Sequence, residues 1–212
     1  MKERLAILGA SGHGRVVGDT ARSEGWESIV YFDDEPTRLV GMNDASSGGS
    51  FADLLRLISG FDGVFVAIGS AVSRQRILAV ILAAGARVPV LVHRAAYVAD
   101  GVSVGMGSII CAGAIVQPGV SLGVGSIVNT NASVDHDCVL GDAVHVCPGA
   151  HLAGDVRAGD RAWIGIGASV IQGVTIGADA VIGAGAAVVS DVPLGAKAVG
   201  VPARVVKSRP SV

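Results

Sequence analysis

Five histidines, His13, His93, His136, His145 and His151, are the side chains best suited to move a proton near neutral pH. His136 stands in Val134-Asp135-His136-Asp137-Cys138, between two acids. Flanking negative charge favours the imidazolium and strengthens the ring as a base. That suits general-base catalysis. A solvated surface histidine between two surface acids would have the same sequence, and the motif alone leaves both open.

A second constellation suits an anion. Arg4-Leu5-Ala6-Ile7-Leu8 reads as a buried strand, Gly9-Ala10-Ser11-Gly12-His13-Gly14 as a glycine-rich turn, and Arg15 to Glu24 as the helix that follows. Backbone N–H groups at such a helix start face a phosphate, and glycine lets it approach. Asp33-Asp34 closes the next strand, Ser28 to Phe32, where an acid suits a ribose hydroxyl or a base edge. The spacing is G-x-x-G-x-G and not the dinucleotide fingerprint, so a plain tight turn remains the alternative.

These residues sit in two regions of different grammar. Over residues 1–90, strands alternate with helices: Phe51 to Ser59 reads as helical, Gly63 to Ile68 as a strand closed by Gly69-Ser70, Ala71 to Ala84 as a helix and Val88 to Val92 as a fourth strand. That order specifies a small parallel α/β domain of Rossmann-like type. Gly41 to Ser50 reads as a flexible loop.

Residues 91–212 repeat. Every sixth residue from Val104 to Val188 is a branched aliphatic, apart from Ala158. Every sixth residue from Val102 to Ala186 is small. Two such series in phase define a parallel β-helix of hexapeptides, with both series inward and a glycine after many of the aliphatics to tolerate the bend. Three hexapeptides make one triangular coil, and positions 18 apart stack about 4.8 Å from each other. Gly154 therefore lies directly over His136 and leaves room there for a substrate. None of the five histidines falls in an inward series, so none is expected in the core. The outward faces carry Ile109, Ile115, Ile127 and Val181, residues that subunit contacts commonly bury.

Composition agrees. The 212 residues include 31 glycines, with 50% hydrophobic and only 4% aromatic residues, which suits a tightly wound β-structure. A formal net charge of −2 without a basic run argues against a nucleic-acid surface. No apolar stretch reaches membrane-span length, and the short Leu5–Leu8 run is no signal peptide. Cys111, Cys138 and Cys147 read as reduced thiols of a cytoplasmic protein. Cys111 and Cys147 stand two coils apart, too far for a disulfide. Cys138 belongs to the small inward series and has no nucleophile signature.

Taken together with the repeat, the glycine turn, Asp33-Asp34, Val66-Ala67-Ile68-Gly69, Val134 to Cys138, Gly183-Ala184-Gly185-Ala186 and Gly200-Val201-Pro202-Ala203 resemble the NeuD/PglD-type acetyltransferases. These are bacterial nucleotide-aminosugar N-acetyltransferases and sialic-acid O-acetyltransferases. The resemblance implies a left-handed β-helix, a homotrimer, and acetyl-CoA in the groove between adjacent β-helices. It implies His136 as general base and Asp137 as the acid beside it. His145 corresponds to a histidine near the thioester, and Ile166 and Ala184 to backbone contacts with acetyl-CoA. Gly154 is grouped with these cofactor-binding positions. Ser11, Gly12, His13, Asp33 and Asp34 correspond to nucleotide-sugar contacts, and Gly69 is grouped with them. The expected function is acetyl transfer from acetyl-CoA to the amino group of a nucleotide-linked amino sugar, with no metal. O-acetylation of a sialic acid or related sugar, a hexapeptide-repeat metal lyase, and a non-catalytic nucleotide sensor are the competing readings.

Overall fold

The computed structural model describes residues 3–40 and 46–206. The chain divides into two units, Met1–Arg94 and Ala95–Val212.

The first unit is built on strands β1 (Arg4–Leu8), β2 (Ser28–Phe32), β3 (Ser46–Gly49) and β4 (Gly63–Val66), with helices α1 (Gly12–Ser23), α2 (Phe51–Leu57) and α3 (Ala71–Ala83). The sheet is parallel, in the order β3-β2-β1-β4. Its β1, β2 and β4 are nearly continuous apolar runs, as a sheet covered on both faces requires, and Leu5, Ile7, Phe32 and Phe65 are buried. Helix α1 presents Gly14, Val17, Gly18 and Ala21 as its buried stripe. Gly18 lies so close to the Tyr31 hydroxyl that no side chain fits between them. A capping box between Ser50 and Asp53 starts α2 at Phe51.

Two expectations change here. Ser46–Gly49, read as part of a flexible loop, is the edge strand of the sheet, and residues 41–45 lie outside the described residues. Gly48 packs flat on the Phe32 ring, where any Cβ would collide, and the Gly49 carbonyl accepts from Asp33 N at 2.9 Å. Backbone pairing and one aromatic face thus make a strand of residues with no strand propensity. Val88 to Val92 is not the sheet's fourth strand; only Leu91–Val92 is extended as a strand. α1 also begins at Gly12, earlier than Arg15.

The second unit is a left-handed parallel β-helix. Two-residue strands recur every six residues from Tyr97–Val98 to Ala187–Val188, each parallel to the strand 18 residues on. They form three faces. The first holds Tyr97–Val98, Ile115–Val116, Ser133–Val134 and His151–Leu152; the second Ser103–Val104, Ser121–Leu122 and Val139–Leu140; the third Ile109–Ile110, Ile127–Val128, His145–Val146 and Trp163–Ile164. From Ser108 to Val188 both series are inward and buried.

The glycines do two jobs, and the bend is not the job of those after the aliphatics. The left-handed backbone falls one residue before each small inward position, at Gly101, Gly107, Gly113 and Gly119 with φ of 70–79°. Gly105, Gly123, Gly141 and Gly177 instead let successive coils touch: a Cβ on Gly123 would lie 2.5 Å from the Gly141 carbonyl carbon. Gly123→Ala should therefore destabilise the β-helix by about 1–3 kcal/mol, the usual magnitude of overpacking, as measured by chemical denaturation. Gly149→Ala meets nothing within 4 Å but sits at φ 64°, so it should lose only about 1–2 kcal/mol.

The outward apolar residues divide. Ile109 and Ile127 are 0% and 1% exposed within the chain and are unavailable to a partner, whereas Ile115 and Val181 are 41% and 39% exposed. Ile109 and Ile127 share the third face with His145, which at 7% exposure is buried although it lies outside both inward series. The expectation that no histidine lies in the core fails for this residue, against whose ring Trp163 and Asn129 pack.

Candidate active site

His136 stands on the edge between the first and second faces, after Ser133–Val134 and before Val139–Leu140. Its side chain is 63% exposed, and its Nδ1 pairs with Asp137 Oδ2 at 2.9 Å. The Asp135 carboxylate accepts the His136 backbone N–H at 2.9 Å. The hydrogen bond to Asp137 holds the imidazolium pKa above its ordinary value; burial opposes it, and the charges of Asp135, Asp137 and Asp155 add to it. With Asp137 on Nδ1, the proton-accepting atom that remains is Nε2.

Gly154 lies over this ring. A Cβ there would fall 2.5 Å from Nε2 and 3.0 Å from Nδ1 of His136. Below, a Cβ on Gly119 would press on Asp137 Oδ1. The His-Asp pair thus lies between two glycines. Asp137 itself adopts φ 61°, a left-handed conformation that turns its carboxylate back to the preceding residue's ring. The sequence pattern placed Asp137 beside His136 but gave no sign of this turn.

His145 is elsewhere, on the third face. Asn129 Oδ1 accepts the Thr130 N–H at 2.8 Å, so its Nδ2 faces the ring and donates to His145 Nε2 at 3.1 Å. Neutral His145 therefore carries its proton on Nδ1, an atom buried in the chain. The Trp163 ring packs edge-on at 4.4 Å. Asn129 is the residue sequence reasoning missed; it opens the polar run Asn129-Thr130-Asn131 after the Ile127–Val128 strand, and nothing in that run marks which side chain meets His145. Ile166 is 61% exposed and Ala184 is exposed, and they stack on the edge between the third and first faces. The Gly165, Gly167 and Gly185 amides donate to carbonyls of adjoining coils, and those of Ile166 and Ala184 do not. Within one chain, His136, Asp137 and Gly154 thus stand on one edge of the prism and Ile166 and Ala184 on another.

In the first unit a cleft of ≈ 290 Å³ opens at the carboxyl ends of the strands, lined by Gly9, Ser11, Asp33, Asp34, Arg38, Phe51 and Gly69 among others. Helix α1 opens on Ser11 with no side-chain cap and no acid in its first turn, so its N–H groups face outward unspent on carboxylate. Gly9, at φ 110°, and Gly14 let the loop close against Ala67 and against Gly9 itself. Around Gly12 nothing approaches a built Cβ closer than 3.9 Å. Asp33 is spent on structure: its carboxylate accepts from Ala10 N and Glu35 N, each at 2.9 Å. Burial would raise its pKa, but those two amides and Arg38 outweigh it and hold the group below its ordinary value. Asp34, at the rim, accepts from Phe51 N at 2.8 Å.

His13 and Gly12 do not line this cleft. The His13 ring is mostly buried; desolvation first, then the Arg74 charge, lower its pKa from 6.5 to about 4. The folded ring is neutral where an unfolded one would take a proton. Its contribution is complete above about pH 6.5 and is lost as pH falls toward 4. Stability followed by denaturant titration should fall across that window, and His13→Asn should flatten the fall.

Among the described residues no group of three His, Cys, Asp or Glu side chains could hold a metal ion, no helix is long and apolar enough to cross a membrane, and the three cysteines are free and buried.

Residues 4–81 match the family model of the PglD N-terminal domain. Almost the whole chain is similar to solved structures. The acetyltransferase domain of PglB from Neisseria gonorrhoeae FA1090, in complex with acetyl coenzyme A, is 39% identical, with 96% of this chain and 98% of that one covered and a TM-score of 0.91. PerB from Caulobacter crescentus, in complex with CoA and GDP-perosamine, is 37% identical over 96% and 97% of the two chains, with a TM-score of 0.88. WeeI from Acinetobacter baumannii AYE is 29% identical over 96% and 100%, also at 0.88. No curated protein matches the chain. An α/β unit followed by a hexapeptide β-helix, matched over such lengths, defines a hexapeptide-repeat acetyltransferase. The chain belongs to the NeuD/PglD-type family of sugar acetyltransferases.

Proposed function

We propose that this chain transfers an acetyl group from acetyl-CoA to the amino group of a nucleotide-linked amino sugar, with His136 as general base. One observation carries the reading: an exposed imidazole whose Nδ1 is engaged by Asp137, with Gly154 clearing the space at Nε2. The relatives support the donor and the acceptor class, since PglB holds acetyl coenzyme A and PerB holds CoA and GDP-perosamine.

A sugar ammonium cannot attack until it loses a proton. Nε2 of His136 accepts that proton as the C–N bond forms, and Asp137 stabilises the imidazolium. The C–S bond then breaks and CoA leaves as the thiol with the proton returned. The charge on the thioester oxygen needs a donor. His145 or a nearby backbone N–H is the candidate; one His145 nitrogen meets Asn129 and the other is buried, so the unspent amides of Ile166 and Ala184 suit contact with the acetyl donor better. Because those positions and His136 occupy different edges, one complete site needs two copies of the chain, which favours a homotrimer. The first unit's cleft would hold the nucleotide, with phosphate at the α1 N-terminus and Asp34 and Arg38 toward ribose or base. Reduced, buried thiols suit a cytoplasmic enzyme.

The test is CoA-thiol release from acetyl-CoA with a panel of nucleotide-linked sugars. Turnover with a 4-amino or other amino sugar, and none with hydroxyl-only analogues, is expected. Turnover confined to hydroxyl acceptors would replace this reading by O-acetylation.

A further inference from the structure

The column of left-handed residues on the His136 edge is Gly101, Gly119, Asp137, Asp155 and Gly173, with φ of 79°, 77°, 61°, 55° and 72°. Glycine adopts this conformation freely, and aspartate adopts it less readily. Two successive coils therefore carry an acid at a position where the neighbouring coils use glycine. Asp137 has its use, the hydrogen bond to His136. Asp155 makes no such bond. Its backbone N–H donates to the His136 carbonyl at 2.9 Å, and its carboxylate accepts from Arg157 Nη2 at 3.2 Å.

We propose that Asp155 is a positioning residue for the acetyl transfer, placing a negative charge one coil above His136 to stabilise the imidazolium formed when the ring takes the substrate's proton. The inference rests on His136 being the base. The charged groups around the ring are Asp135 and Asp137 beside it and Asp155 above, with Arg157 drawing on Asp155. The coil below offers Pro118 and Gly119, which carry no charge. Asp155 is among the groups that raise the His136 pKa, behind the Asp137 hydrogen bond and the charges of Asp135 and Asp137. Arg157 shares the Asp155 charge, so it works in the opposite direction.

The strain gives the idea a second signature. Asp155→Gly removes the charge and relieves the backbone at once, so it should raise Tm by about 2–4 °C while weakening the base. Asp155→Asn removes the charge alone. Proton NMR titration of the His136 ring, in the full chain, reads the charge directly. Both variants should lower its midpoint, because each removes a negative charge that favours the imidazolium. Arg157→Ala should raise it. The acid limb of kcat/KM should move with the NMR midpoint in each case. An unmoved midpoint in both Asp155 variants, or an Arg157→Ala shift of the same sign as theirs, would overturn the proposal. A midpoint that moves while the kcat/KM limb stays fixed leaves Asp155 acting on the ring but refutes His136 as the base, and with it the assigned role.

Discussion

His136→Ala should lower kcat/KM by roughly 10²–10⁴-fold, the range a positioned acid–base group supplies. The fold should persist, since the side chain is 63% exposed and its loss opens no cavity. Acetyl-CoA should still bind, because its expected contacts lie on the edge of Ile166 and Ala184. The wild-type rate should fall as pH drops through a midpoint above the ordinary histidine value. The ring must be neutral to accept a proton, and Asp137 holds its pKa up. Asp137→Asn should do less harm than His136→Ala and move that limb to lower pH. His145→Ala is the control. A larger loss than that of His136→Ala, with a displaced kinetic pKa, would assign the base to the wrong histidine. A full rate for His136→Ala at saturating substrates would sink the mechanism.

Gly154→Ala should cost about 10²-fold in kcat/KM with little change in Tm. The backbone of Gly154 is not left-handed, so alanine fits it without strain. What stands in the way is the imidazole, 2.5 Å from the new methyl at Nε2. The exposed ring yields more easily than the coil, and it moves by about an ångström. Misplacement of that size in a catalytic group typically costs 10²-fold. Steady-state kinetics beside thermal unfolding separates this outcome from general damage. Wild-type kinetics, with an unshifted His136 resonance, would show that the space over the ring is not where substrate meets base.

The hexapeptide period alone specifies the β-helix, its register and its inward residues. A period of six leaves no second way to bury Val104 to Val188, so the stacking of Gly154 on His136 followed from arithmetic. The βαβ order of the first unit and the glycine turn were equally legible, because strand, turn and helix each announce themselves within a few residues. What the residue pattern leaves open depends on neighbours far along the chain. Ser46–Gly49 becomes a strand only because β2 presents an unpaired edge and Phe32 a flat ring. His145 is buried with the Trp163 ring packed on it, and Asn129 then decides its tautomer. Asp33 and Asp34 look alike in sequence, yet Asp33 closes the loop through Ala10 while Asp34 stands at the rim of the cleft. The left-handed turns at Asp137 and Asp155 are set by the winding of the coil. Backbone conformation at a tight corner is imposed by the coils above and below, and an aspartate does not reveal it in advance.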